Sequence, residues 1–319
     1  MKPPGTGRKA SGMKEVHRIT IPASTSNLGS AFDAVGLALR LYLTLEIEES
    51  GPLPSRIEYE GPDPGLVPPG ENNLIWRAMR MTAERSGRSL PSFTLRIVNE
   101  IPITKGLGSS AAASLGGVVA ADLLCGLRLG AADWLRLAAE LEGHPDNVAP
   151  SLWGGLVVSM SDGTIHCSRC DFPPEWTVVA VTPDFELETK RARSVLPEHV
   201  PHHHAVLNVQ RAAFLVAQLI QGKKEGLRQA MEDYLHQPYR SDLIPGLREI
   251  LALEEQEGLL GIALSGAGPT VIAIADARAG EIGSQIQKRF MMHGLTSQVR
   301  LLQPDLQGLT LESYNPELG

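Results

Sequence analysis

The segment Pro102-Ile-Thr-Lys-Gly-Leu-Gly-Ser-Ser-Ala-Ala-Ala113 restricts what this chain can fold into more than any other. It reads as a glycine-rich turn that opens directly into a helix over 108–124, made mostly of very small apolar residues. A helix that is apolar all round belongs at the centre of a core. At its start, missing Cβ atoms let a ligand come close to the backbone. The first N–H groups of the helix carry a partial positive charge, a geometry that binds phosphate. Ser109 and Ser110 add two hydroxyls able to bind an anion or ligate magnesium. The segment is not a Walker A loop, because no Gly-Lys-Ser/Thr follows four spacer residues. On this segment alone the alternative stays open: a Gly/Ala/Ser helix start packed tightly in a core.

The 319 residues are enough for two domains with their own cores. A net charge of -7 argues against nucleic acid or an anionic membrane as the main partner, so any anionic ligand needs local positive charge. Three cysteines are too few for a disulfide scaffold. Cys167 and Cys170 form a Cys-x-x-Cys pair with no second pair and no suitable histidine spacing, which disfavours zinc or redox use. A reducing compartment is the simpler expectation. Residues 1–15 are polar, basic and rich in Gly and Pro, without the apolar centre of a signal peptide, and read as a disordered tail. No apolar run is long enough to cross a membrane, so a cytoplasmic location is expected. His202-His203-His204 is internal and reads as the start of a surface helix.

Residues 37–47 alternate Leu or Ile with other residues, the period of a long half-buried strand. Strands are also expected at 16–21, 93–99 and 154–161, and helices at 73–85 and from a cap at Asp133 to near Gly143. The second half reads as strands at 176–182, 259–264, 270–275 and 296–302, with helices at 204–220, 224–236, 242–256 and 277–292. Strands and helices mix without a clean βαβ repeat, so the fold class is α+β. The expected division is 16–172 and 173–319, with the boundary near 171–175, where Pro173-Pro174 interrupts the pattern.

Three further blocks could carry chemistry. Pro22-Ala-Ser-Thr-Ser-Asn-Leu-Gly-Ser-Ala-Phe-Asp33 runs from a strand end into a loop where Asn27 and Asp33 could orient a polar ligand, or simply make a turn. Glu142-Gly-His-Pro-Asp-Asn-Val-Ala-Pro150 places Glu, His, Asp and Asn together between apolar helices. A carboxylate there could hold magnesium, or His144-Pro145-Asp146 could cap a short helix. Leu264-Ser-Gly-Ala-Gly-Pro-Thr270 is a glycine turn between two buried strands, either tight for its own sake or tight against a ligand.

In this order, the blocks resemble the GHMP kinases, the family of galactokinase, homoserine kinase, mevalonate kinase and phosphomevalonate kinase. Lys105-Gly-Leu-Gly-Ser-Ser-Ala111 is similar to the family's phosphate loop and Ser265-Gly-Ala-Gly-Pro-Thr270 to its C-terminal glycine motif. The 22–33 block, Gly143-His-Pro-Asp-Asn-Val-Ala-Pro150, Thr189-Lys-Arg-Ala-Arg-Ser-Val-Leu-Pro197 and His236-Gln-Pro-Tyr-Arg-Ser-Asp-Leu-Ile-Pro-Gly246 are similar to the homoserine kinase branch. The resemblance runs from about 21 to 275. It departs at Ala31, where glycine is usual, and at Thr104, where a smaller residue is common.

The resemblance implies an N-terminal domain like domain 2 of ribosomal protein S5, a ferredoxin-like C-terminal domain, and ATP and substrate between them. It implies phosphorylation of L-homoserine, a step of threonine biosynthesis, by in-line transfer from ATP with Mg2+. Pro102, Lys105, Gly106, Leu107, Gly108, Ser109, Ser110, Ala111 and Asn73 would bind ATP; Ser109 and Glu142 would hold the metal. Asn27, Asp33, His144, Asp146, Arg193, Arg240 and Gly266 would bind the amino acid, with Asp146, Asn147 and Arg193 closest to the reaction. A planar guanidinium suits a carboxylate, and a carboxylate suits an ammonium. Whether Asp146 takes the hydroxyl proton or only binds the ammonium stays open. A homodimer is carried as the expected assembly. The competing readings are a kinase of the same family acting on threonine, a sugar or an isoprenoid alcohol, and a non-catalytic small-molecule sensor on the same fold.

Overall fold

In the computed structural model, which describes residues 15–315, the framework is set by two long strands, β1 (Val16–Ser26) and β2 (Val35–Glu49). The segment read as a tail lies, but for its last residue, outside the described residues. The outer half of β2 alternates as its sequence predicts, while its first five residues are buried on both sides. The strand is shared: β1 lies along one edge, and the other edge takes two partners in turn. Leu43–Glu49 pairs with β4 (Phe93–Asn99), and Val35–Leu37 pairs with β5 (Leu156–Ser161). β3 (Arg56–Glu60) adds in parallel beyond β4, and β6 (Ile165–Cys170) adds antiparallel to β5.

Four helices build the layer against this sheet: α1 (Leu74–Arg85), α2 (Ser109–Cys125), α3 (Ala131–Glu142) and α4 (Val148–Trp153). The small residues of α2 put it at the centre, with α1, α3 and α4 around it and β1 and β2 beneath. A Cβ on Gly116 would stand 2.6 Å from Leu45 and 2.9 Å from Ile21, and one on Gly117 would stand 2.4 Å from the Ile75 carbonyl. The helix is therefore pinched between sheet and α1, as its composition predicts.

The chain then enters a second, four-stranded antiparallel sheet in the order β10-β7-β9-β8, made of β7 (Thr177–Pro183), β8 (Leu259–Leu264), β9 (Val271–Ala275) and β10 (Ser297–Leu302). The connections carry α5 (Thr189–Ser194), α6 (His202–Gln221), α7 (Leu227–Ala230), α8 (Gln237–Arg240), α9 (Leu247–Leu251) and α10 (Ala279–Met292). One face of this sheet, with Val178, Ala180, Ile272 and Ile274, joins the same apolar core as α2. The other face, with Val179, Val181, Val271 and Ala273, packs on Ile282, Ile286 and Phe290 of α10. Burial on both faces explains why β9 reads as a continuous apolar run. After β10 the chain returns, and β11 (Thr310–Tyr314) pairs with β1 on the first sheet.

Three local expectations fail, one of them because a side chain captures the backbone. Asp133 is not the cap of α3; Gly130 is, and Asp133 sits in the first turn, where its charge faces the helix dipole. The helix expected over 224–236 shrinks to α7, because the Asp233 carboxylate accepts the N–H groups of Leu235, His236 and Gln237 and folds the chain around itself. The helix expected over 242–256 is reduced to a 3-10 turn, Ser241–Leu243, and α9, separated by Gly246 at φ +83°. Cys167 and Cys170 both lie on β6 at odd spacing, so their side chains leave opposite faces and do not form a chelating pair.

Replacing Gly117 by Ala tests the pinched helix. The intrinsic helix gain is about 1 kcal/mol, while overpacking costs roughly 1–3 kcal/mol, and the nearest obstacle is a backbone carbonyl that cannot swing aside. Gly117→Ala should lower unfolding free energy in urea by roughly 1 kcal/mol net, whereas the same change at Gly126, where the added Cβ meets nothing within 4 Å but φ is +58°, should cost only the left-handed backbone strain.

Candidate active site

The glycine-rich turn after β4 closes against two segments far away in sequence. Ser24 N–H, near the end of β1, donates to the Leu107 carbonyl at 3.2 Å. The Ser265 hydroxyl donates to the Gly106 carbonyl at 2.6 Å and meets the Thr25 hydroxyl at 2.8 Å. Gly266 N–H donates to the Ser26 carbonyl at 3.2 Å, and Asn27 Nδ2 donates to the Gly266 carbonyl at 3.0 Å. A Cβ on Gly108 would lie 2.2 Å from Ser24 Oγ, and one on Gly106 would lie 2.5 Å from the Ser265 carbonyl. Both glycines also have positive φ, so their identity is required twice over.

These contacts wall a cavity of about 350 Å³ between the two sheets. Of the residues expected to bind ATP, Lys105, Gly106, Gly108, Ser109, Ser110, Ala111 and Asn73 line it. Pro102 and Leu107 do not. Both are buried below the turn, where Leu107 contributes an apolar anchor and a carbonyl already bonded to Ser24. Asn73 also serves the fold, since its side-chain oxygen caps α1 by accepting from Ile75 N–H at 2.9 Å. Lys105 is almost fully buried, with Nζ 4.0 Å from Asp184. The part of the cavity beyond the turn is apolar, with Leu43, Leu74, Ile97 and Ile103 in its wall.

Glu142 ends α3 and faces the start of α2. Its Oε1 accepts from Ser110 at 2.8 Å and from Ser114 at 2.7 Å. Ser109, rather than Ser110, is the neighbouring hydroxyl with no partner among the described residues. One carboxylate with an oxygen to spare and one free hydroxyl, both at the cavity wall, fit a magnesium ion that keeps most of its shell as water and phosphate.

The opposite end of the cavity is charged. Asn27, Asp33, His144, Asp146, Asn147, Arg193, Arg240 and Gly266, all expected at an amino-acid site, line it together. Asp33 accepts from both Arg193 Nη atoms, at 2.6 and 3.0 Å, and its own N–H is held by Asn27 Oδ1 at 2.9 Å. The Asp146 carboxylate is buried and hydrogen-bonded to His144 Nδ1. Burial pushes the Asp146 carboxyl up, but the bond and charge of His144, the Ser26 hydroxyl and Arg193 outweigh it and hold the carboxyl below its usual range. Burial pulls His144 down, and the bond and charge of Asp146 outweigh it in turn, holding the imidazole above its usual range. Asn147 is fixed on both sides of its amide: Nδ2 donates to Ser26 at 2.8 Å, and Oδ1 lies 3.1 Å from the Ser24 hydroxyl. Arg240 is 1% exposed, and burial followed by the nearby charge of Arg193 pulls its guanidinium down to about 10.

The sequence of this chain matches the description "GHMP kinases N terminal domain" over residues 73–155 and "GHMP kinases C terminal" over residues 215–291. It is 43% identical to the homoserine kinase of Carboxydothermus hydrogenoformans, with 94% of this chain and 98% of that one covered. It is 42% identical to the homoserine kinase of Moorella thermoacetica, with 90% and 96% covered. The crystal structure of homoserine kinase from Cytophaga hutchinsonii superposes with a TM-score of 0.83 at 27% identity, covering 97% of this chain and all (100%) of that one. The chain belongs to the GHMP kinase family.

Its α+β architecture is the two-domain fold of GHMP kinases, and GHMP kinases use ATP. Two departures from the family pattern now have a physical reading. Ala31 has ordinary backbone angles and a buried methyl group, so glycine is not required there. Thr104 has φ +56°, an unfavourable region for a β-branched residue, so this GHMP kinase carries backbone strain at the edge of its glycine-rich turn. The residues that sequence reasoning left out of the site are Ser24, Ser26, Phe32 and His236. A run of small hydroxyls, Ser24-Thr25-Ser26, all buried at a strand end, was the available signal for the first two.

The His144–Asp146 pair sets an expectation for pH. The share of stability due to Asp146 is present above its ordinary 3.8 and lost as pH falls through the lowered value. The share due to His144 is present below its ordinary 6.5 and lost as pH rises through the raised value. The destabilisation caused by Asp146→Asn, measured by urea unfolding, should therefore be largest between pH 3.8 and 6.5 and shrink at higher pH. By NMR, the His144 imidazole should titrate above 6.5 in the parent and lower in Asp146→Asn, where burial is no longer outweighed.

Proposed function

We infer that this GHMP kinase acts as a homoserine kinase, transferring the γ-phosphoryl group of ATP to the hydroxyl of L-homoserine. The reading rests above all on one arrangement: a charged cluster of both signs, Asp33, Asp146, Arg193 and Arg240, shares a cavity with the amides at the start of α2. A zwitterionic amino acid needs both signs, whereas mevalonate, a carboxylate without an ammonium group, needs only the positive one. The homoserine kinases at 43% and 42% identity support the same substrate.

In this proposal the amides of 106–110 and Lys105 cradle the β- and γ-phosphates, and the apolar wall with Leu43, Leu74 and Ile97 takes the base. Ser109 and Glu142 would hold magnesium, which when bound would supply neutralisation of phosphate charge. Arg193 and Arg240 take the carboxylate of L-homoserine, and Asp33 and Asp146 its ammonium, with Asn27, His144 and the Gly266 backbone framing them. Asn147, fixed by Ser24 and Ser26, orients the hydroxyl for in-line attack. An amide cannot accept a proton at neutral pH, and the depressed Asp146 carboxyl is a poor base already engaged by His144. Phosphoryl transfer through a loose transition state depends on positioning and charge more than on a strong base, so Asp146 acts by binding.

A cytoplasmic location goes with this proposal; among the described residues no helix is long and apolar enough to cross a membrane. So does a homodimer, for which α6 offers exposed Val206, Val209 and Ile220.

ADP release should be stimulated by L-homoserine and far less by L-threonine, a sugar or mevalonate; stimulation by a sugar alone, or by none of the panel, defeats the assignment. Asp146→Asn should raise KM for L-homoserine more than it lowers kcat, and a kcat loss above about 10³ with unchanged KM would instead make Asp146 the base.

A further inference from the structure

We propose that His236, as a neutral imidazole protonated on Nε2, is the positioning residue that aims Arg240 into the amino-acid end of the cavity. The inference rests on the homoserine kinase reading and adds a residue that lies outside the cavity lining.

The tautomer follows from the partners. His236 Nε2 lies 2.9 Å from the carbonyl oxygen of Gly29, which can only accept, so Nε2 carries a proton. His236 Nδ1 lies 3.0 Å from Arg240 Nη1, which can only donate, so Nδ1 presents a lone pair. A protonated ring would set two donors and two cations against each other at this distance. The ring is fully buried, which disfavours its charged form. Of the charged groups around it, Asp233 comes within 3.5 Å of Nε2, but its oxygens already accept three backbone N–H groups; Arg240 and the more distant Asp33 are the others.

The ring is also fixed in plane. Phe32 stacks on it with centroids 4.9 Å apart and planes 19° apart, and Arg240 lies 5.3 Å from the centre of the same Phe32 ring. Arg240 is then held by three neutral acceptors: the Ala192 carbonyl on Nε at 3.2 Å, the Gly266 carbonyl on Nη1 at 2.9 Å, and His236. No carboxylate among the described residues bonds to it. A buried cation held only by neutral acceptors keeps its charge for an incoming anion, and the lone pair of His236 fixes the rotation of the guanidinium without neutralising it. A carboxylate in place of His236 would hold Arg240 as firmly and cancel the charge the substrate needs.

Two amides separate the two functions of the ring. In His236→Asn the side-chain oxygen falls near Nδ1 and keeps an acceptor for Arg240; in His236→Gln the side-chain nitrogen falls near Nε2 and keeps only the donor to Gly29. With the full-length enzyme, ADP release is measured with L-homoserine varied at saturating ATP, and the reverse. His236→Gln should raise KM for L-homoserine about ten- to hundredfold, the range expected for losing a hydrogen bond to a charged group, with KM for ATP and kcat within about threefold. His236→Asn should return KM to within about threefold of the parent. In an Arg240→Ala background, His236→Gln should add nothing further. Equal damage from Asn and Gln, a matching rise in KM for ATP, or a full additional loss in the Arg240→Ala background overturns the proposal. Should the variants not fold, imidazole 15N shifts in the parent decide: Nε2 protonated and Nδ1 bare near neutral pH supports it, and a protonated Nδ1 overturns it. A parent enzyme unresponsive to L-homoserine would defeat the substrate reading, whereas a responsive parent with unchanged KM in His236→Gln defeats only this one.

Discussion

The whole site depends on how closely three backbones approach one another at Gly106 and Gly108. The end of β1, the turn before α2 and the turn after β8 are joined by bonds from Ser24, Ser26 and Ser265, at separations that leave no room for a Cβ. Small residues make the approach possible, and buried hydroxyls satisfy the polar groups that the approach strips of water. The same contacts bring together the two sheets, so the cavity is a consequence of closure between units rather than of either unit alone. Because Asn147 is fixed by Ser24 and Ser26, the groups that close the turn also orient the amide nearest the charged end.

That geometry reconciles an acidic chain with an anionic ligand. The net charge of -7 would repel a nucleotide if charge were spread evenly. In the cavity Lys105, Arg193, Arg240 and the first amides of α2 set positive groups among the carboxylates Asp33, Glu142, Asp146 and Glu188, so the attraction for an anion comes from where the positive groups stand and not from an excess of them. Partial charges of a helix start cost no side-chain entropy and are not cancelled by distant carboxylates across water, since screening acts over about 8–10 Å.

The parts legible in sequence were those where one physical requirement dictates composition. The small residues of α2 announced its central position, the alternation in β2 announced a half-buried strand, and the glycine blocks announced close backbone approach. Legibility failed where side-chain-to-backbone bonds overrule periodicity, as at Asp233, which converts an apparently helical stretch into the turn that carries His236. It failed again at β11, an edge strand exposed along its whole length, whose place on β1 is set by backbone pairing rather than by an apolar pattern. His236 and Phe32 were visible as letters in motifs, but their value lies in a stack and a lone pair between residues about two hundred positions apart, and no spacing rule encodes that.

The two arginines of the charged end are built for different roles. Arg240 is buried and bonded only to neutral acceptors, so its position is fixed and its charge stays available. Arg193 is about one third exposed and already paired with Asp33, itself about one third exposed. An ion pair at that exposure is worth only about 0–1 kcal/mol net, so exchanging it for new partners is inexpensive. A zwitterion offers both replacements at once, a carboxylate for Arg193 and an ammonium for Asp33, and the exchange leaves no charge unpaired. A ligand with only one of the two charges would leave either Arg193 or Asp33 without its partner in a partly desolvated cavity. On the proposed function, selectivity for an amino acid over a simple alcohol or a simple acid would follow from the pairing between Arg193 and Asp33, with Arg240 as the fixed point against which the exchange takes place.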